Sequence, residues 1–207
     1  VIMAALIGGA PFAQGEGPQD EARLTLRHEM LRQINRDRMA TGLAPVQLDA
    51  AASALADEYC QVQIRTRPTG HFTPDGLAPH MRYSFAGCND GGSENAASYK
   101  FSDRAVFEMP RRSQEAMLKE KPPHDGHRRT LLDPYATHVG IGLAWKNGEF
   151  RLAQEFIRRY LTWDRPLPRA MWASEDLRGS GKSLPGYRVE AISLHHEPIP
   201  VSMPAHV

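Results

Sequence analysis

Four short segments gather the side chains of this chain that could hold a ligand or move a proton. They are Thr69-Gly70-His71-Phe72-Thr73-Pro74-Asp75-Gly76, Ser93-Glu94-Asn95-Ala96, Gly126-His127-Arg128-Arg129-Thr130-Leu131-Leu132-Asp133-Pro134 and His138-Val139-Gly140-Ile141-Gly142-Leu143. Imidazoles and carboxylates support metal ligation or general acid–base chemistry near neutral pH. A serine nucleophile is poorly supported, because Ser93 neighbours Glu94 but no Gly-x-Ser-x-Gly elbow exists. Arg128 and Arg129 could recognise an anionic group, yet adjacent side chains diverge, and the pair reads as solvated or ion-paired. His28, His80, His138, His195, His196 and His206 read as surface residues, as does His124, which also lies close enough to His127 to sit at a cleft rim.

Positioning these residues falls to helices and one hairpin. Glu21 to Arg38 reads as an amphipathic helix with Leu24, Leu31 and Ile34 on its apolar face, stopped by Gly42 and Pro45. Asp49 can cap a second helix, ending near Gln63, in which Ala52, Leu55, Ala56 and Tyr59 form a stripe suited to close packing. Arg65 to Gly92 loses periodicity and accumulates Pro, Gly, Asp and Asn, so it reads as one long irregular segment. A helix beginning at Ser102 or Asp103 is kinked or ended by Pro110, and a short helix follows around Ser113 to Lys119. Val139, Ile141, Leu143 and Trp145 alternate with small or polar residues, as do Phe150, Leu152, Gln154 and Phe156. Asn147-Gly148 between them predicts a hairpin closed by a type I′ turn.

In family order, the four segments resemble the CAP superfamily of cysteine-rich secretory, antigen 5 and pathogenesis-related proteins, specifically its bacterial SCP-like extracellular branch. Asn35 and Arg38 match the Asn-x-x-Arg element of its first helix, and the resemblance spans about Glu21 to Tyr160. Ser93 stands where the pattern has Gly, Thr130 where it often has Asn, and no Trp precedes the second His loop. The resemblance implies an α+β fold, an α/β/α sandwich with a small antiparallel sheet between helices. It also implies a cleft lined by His71, Glu94 and His127, with a fourth, acidic position that spacing puts near Glu115, Glu108 and Glu120 being competitors.

Two neutral imidazoles and a carboxylate are the ligand set of an open site for Zn²⁺ or another divalent metal, so His71, Glu94 and His127 are the expected metal ligands. Asp75 or Asp133 could orient a ligating imidazole from behind. Asp75 could instead simply turn the Pro74-Asp75-Gly76 segment. Three functions follow. One is a secreted binding module for a metal, small molecule, lipid or peptide; another is a metal- or His-dependent hydrolase; the third is an envelope interaction protein with a vestigial cleft. The cluster could also be scaffold alone.

Composition narrows the classes further. In 207 residues, 25 Lys and Arg balance 24 Asp and Glu, which leaves no field to draw nucleic acid or anionic membrane. The apolar run Val1 to Ile7 is too short to span a bilayer and is read as a clipped signal peptide, with a disordered or buried tail as the alternative. Export is therefore expected, to the periplasm or the extracellular space, where Cys60 and Cys88 could form one disulfide. Residues 1–19 are assigned to the leader and linker, 20–161 to the main domain, and 162–207 to a further segment. That segment is read as a Pro-containing linker and a β-rich extension, with a strand at Tyr187, Val189, Ala191 and Ser193, either truncated or packed back on the domain.

Overall fold

The computed structural model describes residues 18–66, 70–101, 103–165, 167–168, 174–193, 197–198 and 200–201. The leader expected at the N-terminus lies outside them. The hairpin forms as the sequence predicts, with β3 (His138–Lys146) and β4 (Glu149–Arg158) joined by Asn147 and Gly148, both at positive φ. Around it assemble β1 (Gln47–Leu48), parallel to β3, and β2 (Gly91–Lys100), antiparallel to β4. The order is β1-β3-β4-β2, so β2 is an edge strand.

Both faces of the hairpin are covered. Val139, Ile141, Leu143, Phe150, Leu152 and Phe156 share one buried core with α1 (Pro18–Ala40) and α4 (Met109–Leu118). The alternate residues face α2 (Ala50–Thr66), whose Ala56, Tyr59 and Cys60 cluster with Ala144 and Ala153. Here side chains are stripped to the minimum: a Cβ on Gly140 would lie 2.5 Å from Ala52, and one on Gly142 would lie 2.1 Å from the Ala56 backbone. The two glycines of the Val-Gly-Ile-Gly segment therefore set how closely α2 approaches the sheet. Asp49 caps α2 by accepting the Ala52 N–H at 2.8 Å. From α2, Ser53 Oγ and Asp57 Oδ1 accept the N–H groups of Ile141 and Leu143, at 3.1 and 2.8 Å, along the outer edge of β3.

On α1 the buried stripe is Leu26, Met30 and Ile34, not the predicted Leu24, Leu31 and Ile34; Leu24 is half exposed and Leu31 only flanks the core. The four-residue series continues to a fully buried Arg38. Its guanidinium donates to the carbonyls of Ala44, Leu131 and Asp133 at 2.9 to 3.0 Å, and to Ala136 at 3.4 Å. Asn35 exchanges two hydrogen bonds with the Val46 backbone. The Asn-x-x-Arg element is thus a clamp on two loops.

The stretch read as irregular contains α3 (Pro79–Phe85) and the start of β2. A 3₁₀ helix, Asp103–Glu108, starts where the sequence places a helix and ends before Pro110, which stands in the first turn of α4. Among the described residues, the segment after Tyr160 forms a two-stranded ribbon, β5 (Leu161–Trp163) with β6 (Gly181–Ser183). The strand expected at Tyr187 to Ser193 is absent among the described residues, and this stretch is exposed, leaving no buried face to reward alternation. Its chain returns on the domain at Tyr187, whose ring lies 4.5 Å from that of Tyr160, and at Glu197, which pairs with His80. Cys60 and Cys88 are both free, in separate apolar clusters, so the possible disulfide is not formed. No described helix is long and apolar enough to cross a membrane.

Because a methyl on Gly142 has no space, Gly142→Ala is expected to cost about 1–3 kcal/mol or more in urea unfolding. Gly91→Ala, where a Cβ meets nothing within 4 Å, should stay within about 0.5 kcal/mol of wild type. Equal losses in both would show that close packing under α2 does not limit stability.

Candidate functional site

Two His–carboxylate pairs flank the edge strand. The first is set by α2, where Tyr59 and Gln63, one turn apart and buried, both donate to the Gly70 carbonyl, at 2.6 and 3.0 Å. Gly70 sits at φ +103°, a backbone state glycine permits, and delivers His71 to β2. There His71 Nδ1 lies 2.8 Å from Glu94 Oε1; the imidazole is 42% exposed and the carboxylate 1%. Arg82, from α3, donates to the His71 carbonyl at 2.7 Å, to Glu94 Oε2, and to Glu155 Oε1 at 3.4 Å. Its guanidinium stacks 3.6 Å from the Tyr59 ring centroid.

Glu155 has no place in the sequence reading of the site, yet it is central to its electrostatics. It faces Glu94 across the β2–β4 register, so two carboxyl groups share one arginine in a buried space. Burial, then the adjacent Glu94 charge, raises the Glu155 carboxyl well above the usual range; burial also raises Glu94, against the pull of Arg82. The two compete for one counter-charge, which favours a proton on Glu155. His71 is shifted downward, by burial first and then by Arg82, which favours the neutral ring. With Glu94 accepting from Nδ1–H, the free lone pair is on Nε2.

The second pair is tied to β2 through the residue that follows Glu94. Side chains alternate along a strand, so Asn95 points away from Glu94. Asn95 Nδ2 donates to the His127 carbonyl at 3.1 Å, holding α5 (Gly126–Leu131) against the strand. Asn95 also meets Gln154, Gln154 meets Gln114, and Gln114 reaches Asp37 on α1, a buried amide chain through the core. His127 Nδ1 lies 2.5 Å from Glu120 Oε1, and Glu120 Oε2 accepts the N–H groups of His127 and Arg128 at 2.9 and 3.2 Å. Partial burial raises the Glu120 carboxyl, but the His127 side chain and these N–H groups hold it below its ordinary value overall. The His127 side chain is 37% exposed, and Nε2 has no partner among the described residues.

The residues expected at one cleft thus divide. His71 and Glu94 touch; His127 takes Glu120 as its acid. Glu115 is paired with Arg111 and Glu108 with Arg112, on the exposed side of α4, so neither meets an imidazole. Among the described residues no three His, Cys, Asp or Glu side chains come together to hold a metal, and the His71–Glu94–His127 ligand set does not assemble. Both Glu94 oxygens are already engaged, one by His71 and one by Arg82. The carboxylates behind the imidazoles are Glu94 and Glu120, not Asp75 or Asp133. Asp75 is at the exposed tip of a turn closed by the Gly76 N–H on the Thr73 carbonyl, and Asp133 binds Arg158 and the Tyr135 N–H. A signal for Glu155 exists in the strand pattern, since it shares the inward face with Ala153 and Ile157. Arg82 left no signal, because only folding brings α3 to β2.

A family model described as "CAP: Cysteine-rich secretory protein family" matches residues 31–156. Among solved structures, an extracellular SCP-domain protein from Bacillus anthracis aligns at a TM-score of 0.54 and 17% identity, covering 69% of this chain and 44% of that one. An outer surface protein from Borrelia burgdorferi aligns at 0.54 and 15% identity, covering 65% and 93%. This chain thus spans less than half the length of the Bacillus protein. No match was found among curated proteins.

The proton on Glu155 has a pH signature. A carboxyl raised in the fold keeps its proton as pH climbs past 4.5, where the unfolded chain releases one, so its contribution to stability falls with rising pH. Glu155→Gln removes that dependence. Measured by urea unfolding from pH 4.5 to 7.5, the variant should gain on wild type as pH rises, by on the order of 1 kcal/mol. A constant gap would mean that the Glu155 carboxyl ionises normally.

Proposed function

The chain belongs to the CAP, or cysteine-rich secretory protein, family, and from that premise we propose that it is an extracytoplasmic binding module whose ligand is taken by the Nε2 atoms of His71 and His127. The observation that carries this reading is the matched pairing: each imidazole is part-exposed, with Nδ1 held by a carboxylate and the second nitrogen left open. Such backing fixes the tautomer and orients the ring, as it does for histidines that ligate metals. A divalent cation such as Zn²⁺ fits these two nitrogen donors, with Glu94 and Glu120 as orienting groups and not as ligands. A polar small molecule fits the same atoms through hydrogen bonds. Placement outside the cytoplasm rests on the solved relatives, described as extracellular and outer surface proteins.

Catalysis is not part of this reading. The scaffold accounts for its polar residues structurally, and fold alone assigns no reaction. An imidazole backed by a carboxylate is also the arrangement of a general base, so the test includes turnover.

Calorimetric titration of the full chain with Zn²⁺ should give one saturable site. His71→Ala and His127→Ala should each abolish it, Glu120→Gln should weaken it about tenfold, and Glu115→Gln should leave it unchanged. Absence of saturable uptake, or uptake untouched in both His variants, removes the metal. Peptide, ester and glycan panels should show no turnover; hydrolysis lost in His127→Ala would make the protein an enzyme.

A further inference from the structure

On the α5 side of β2, an open groove of about 670 Å³ runs between Ser93 and the loop that follows α5. Arg128, Arg129 and Arg158 all border it, with Asp133 as the one carboxylate of its lining. Arg128 and Arg129, adjacent on α5, both line it. We propose that the groove is an anion-binding site for a phosphate or carboxylate group, separate from the two imidazoles and independent of whether they bind anything.

The guanidinium groups have hydrogen-bonding capacity to spare. Arg158 uses Nε on Asp133 Oδ2, at 2.7 Å, and is half exposed, so both of its terminal nitrogens remain for an oxyanion. Asp133 is itself buried and also accepts the Tyr135 N–H, so it holds Arg158 in place instead of following it into solvent. Arg129 touches Asp125 at 3.4 Å through a side chain that is largely exposed. Arg128 has no side-chain partner among the described residues, and the same is true of the Ser93 and Thr130 hydroxyls, which supply neutral donors along the groove. Two oxygens of a phosphate or carboxylate match the planar fork of one guanidinium, and a second arginine supplies the charge that one pair leaves unmet.

The floor of the groove is rigid for reasons already given. Arg38 holds the carbonyls of Leu131, Asp133 and Ala136 from below, and Asn95 holds α5 from the strand. A preformed site loses little ordering free energy when an anion arrives. The N-terminal N–H groups of His127 and Arg128 are taken by Glu120, so attraction must come from the arginine side chains. The volume of the groove, about 670 Å³, exceeds one oxyanion and suits a ligand with an acid group joined to a polar body.

The full chain should be titrated with sodium pyrophosphate and separately with citrate, at low and constant ionic strength, by calorimetry and by arginine side-chain NMR. One saturable site is expected, with shifts at the Nε of Arg128 and Arg158. Arg128→Gln and Arg158→Gln should each weaken it about tenfold, the scale of one charge-assisted hydrogen bond, and Arg111→Gln, which removes equal charge from α4, should not. Thermal unfolding of each variant separates lost binding from lost fold, Arg128→Gln being the surface substitution that keeps the test valid if Arg158→Gln unfolds. Tighter pyrophosphate assigns the acid group as phosphate, and tighter citrate assigns it as carboxylate. No saturable binding, an equal loss in Arg111→Gln, or a loss confined to His127→Ala would overturn the groove as the site.

Discussion

Contact between α2 and the glycine floor of the hairpin is the constraint from which the site follows. With Gly140 and Gly142 beneath Ala52 and Ala56, the helix lies close enough for Ser53 and Asp57 to reach the N–H groups at the β3 edge. The same approach sets the height of Tyr59 and Gln63 above the sheet, and those two residues hold Gly70 and so place His71 over Glu94. A helix displaced outward by one methyl would shift the anchor of the first imidazole before any site residue changed. Small residues here serve distance, and distance serves the polar network.

The electrostatics are organised around the edge strand. On one face, Glu94 and Glu155 are buried side by side with one arginine between them, an arrangement that costs desolvation and is tolerable because Arg82 is itself held by Tyr59 and two backbone carbonyls. At the second pair, a single carboxylate, Glu120, takes both the imidazole and the N–H groups at the start of α5. The two imidazoles therefore sit in different environments, one beside a buried arginine and the other beside an acid alone. Asn95 Oδ1, buried and without a partner among the described residues, marks where the amide chain from His127 into the core is incompletely satisfied.

Much of the fold was legible because local rules governed it. The hairpin, its Asn-Gly turn, the Asp49 cap and the small face of α2 all depend on residues near one another in sequence. What misled were positions where a global partner overrode the pattern. Leu24 gave way to Leu26 because the α1 stripe is read by the core it meets, not by a tally of leucines. Tyr187 to Ser193 alternated without a sheet to receive it. Spacing could not rank Glu108, Glu115 and Glu120, because the loop after α4 folds Glu120 back on α5 while the other two remain on a solvent face.

By itself, the sequence determined the family, the hairpin, the two main helices and the candidates His71, Glu94 and His127, since motif order and short-range periodicity survive without coordinates. Tertiary structure decided which acid serves which imidazole and that Glu155 and Arg82 belong beside Glu94. It also left the two thiols unbridged. The reason is that a side chain's partner across the sheet is chosen by strand register and helix height, and both arise only when distant segments pack together.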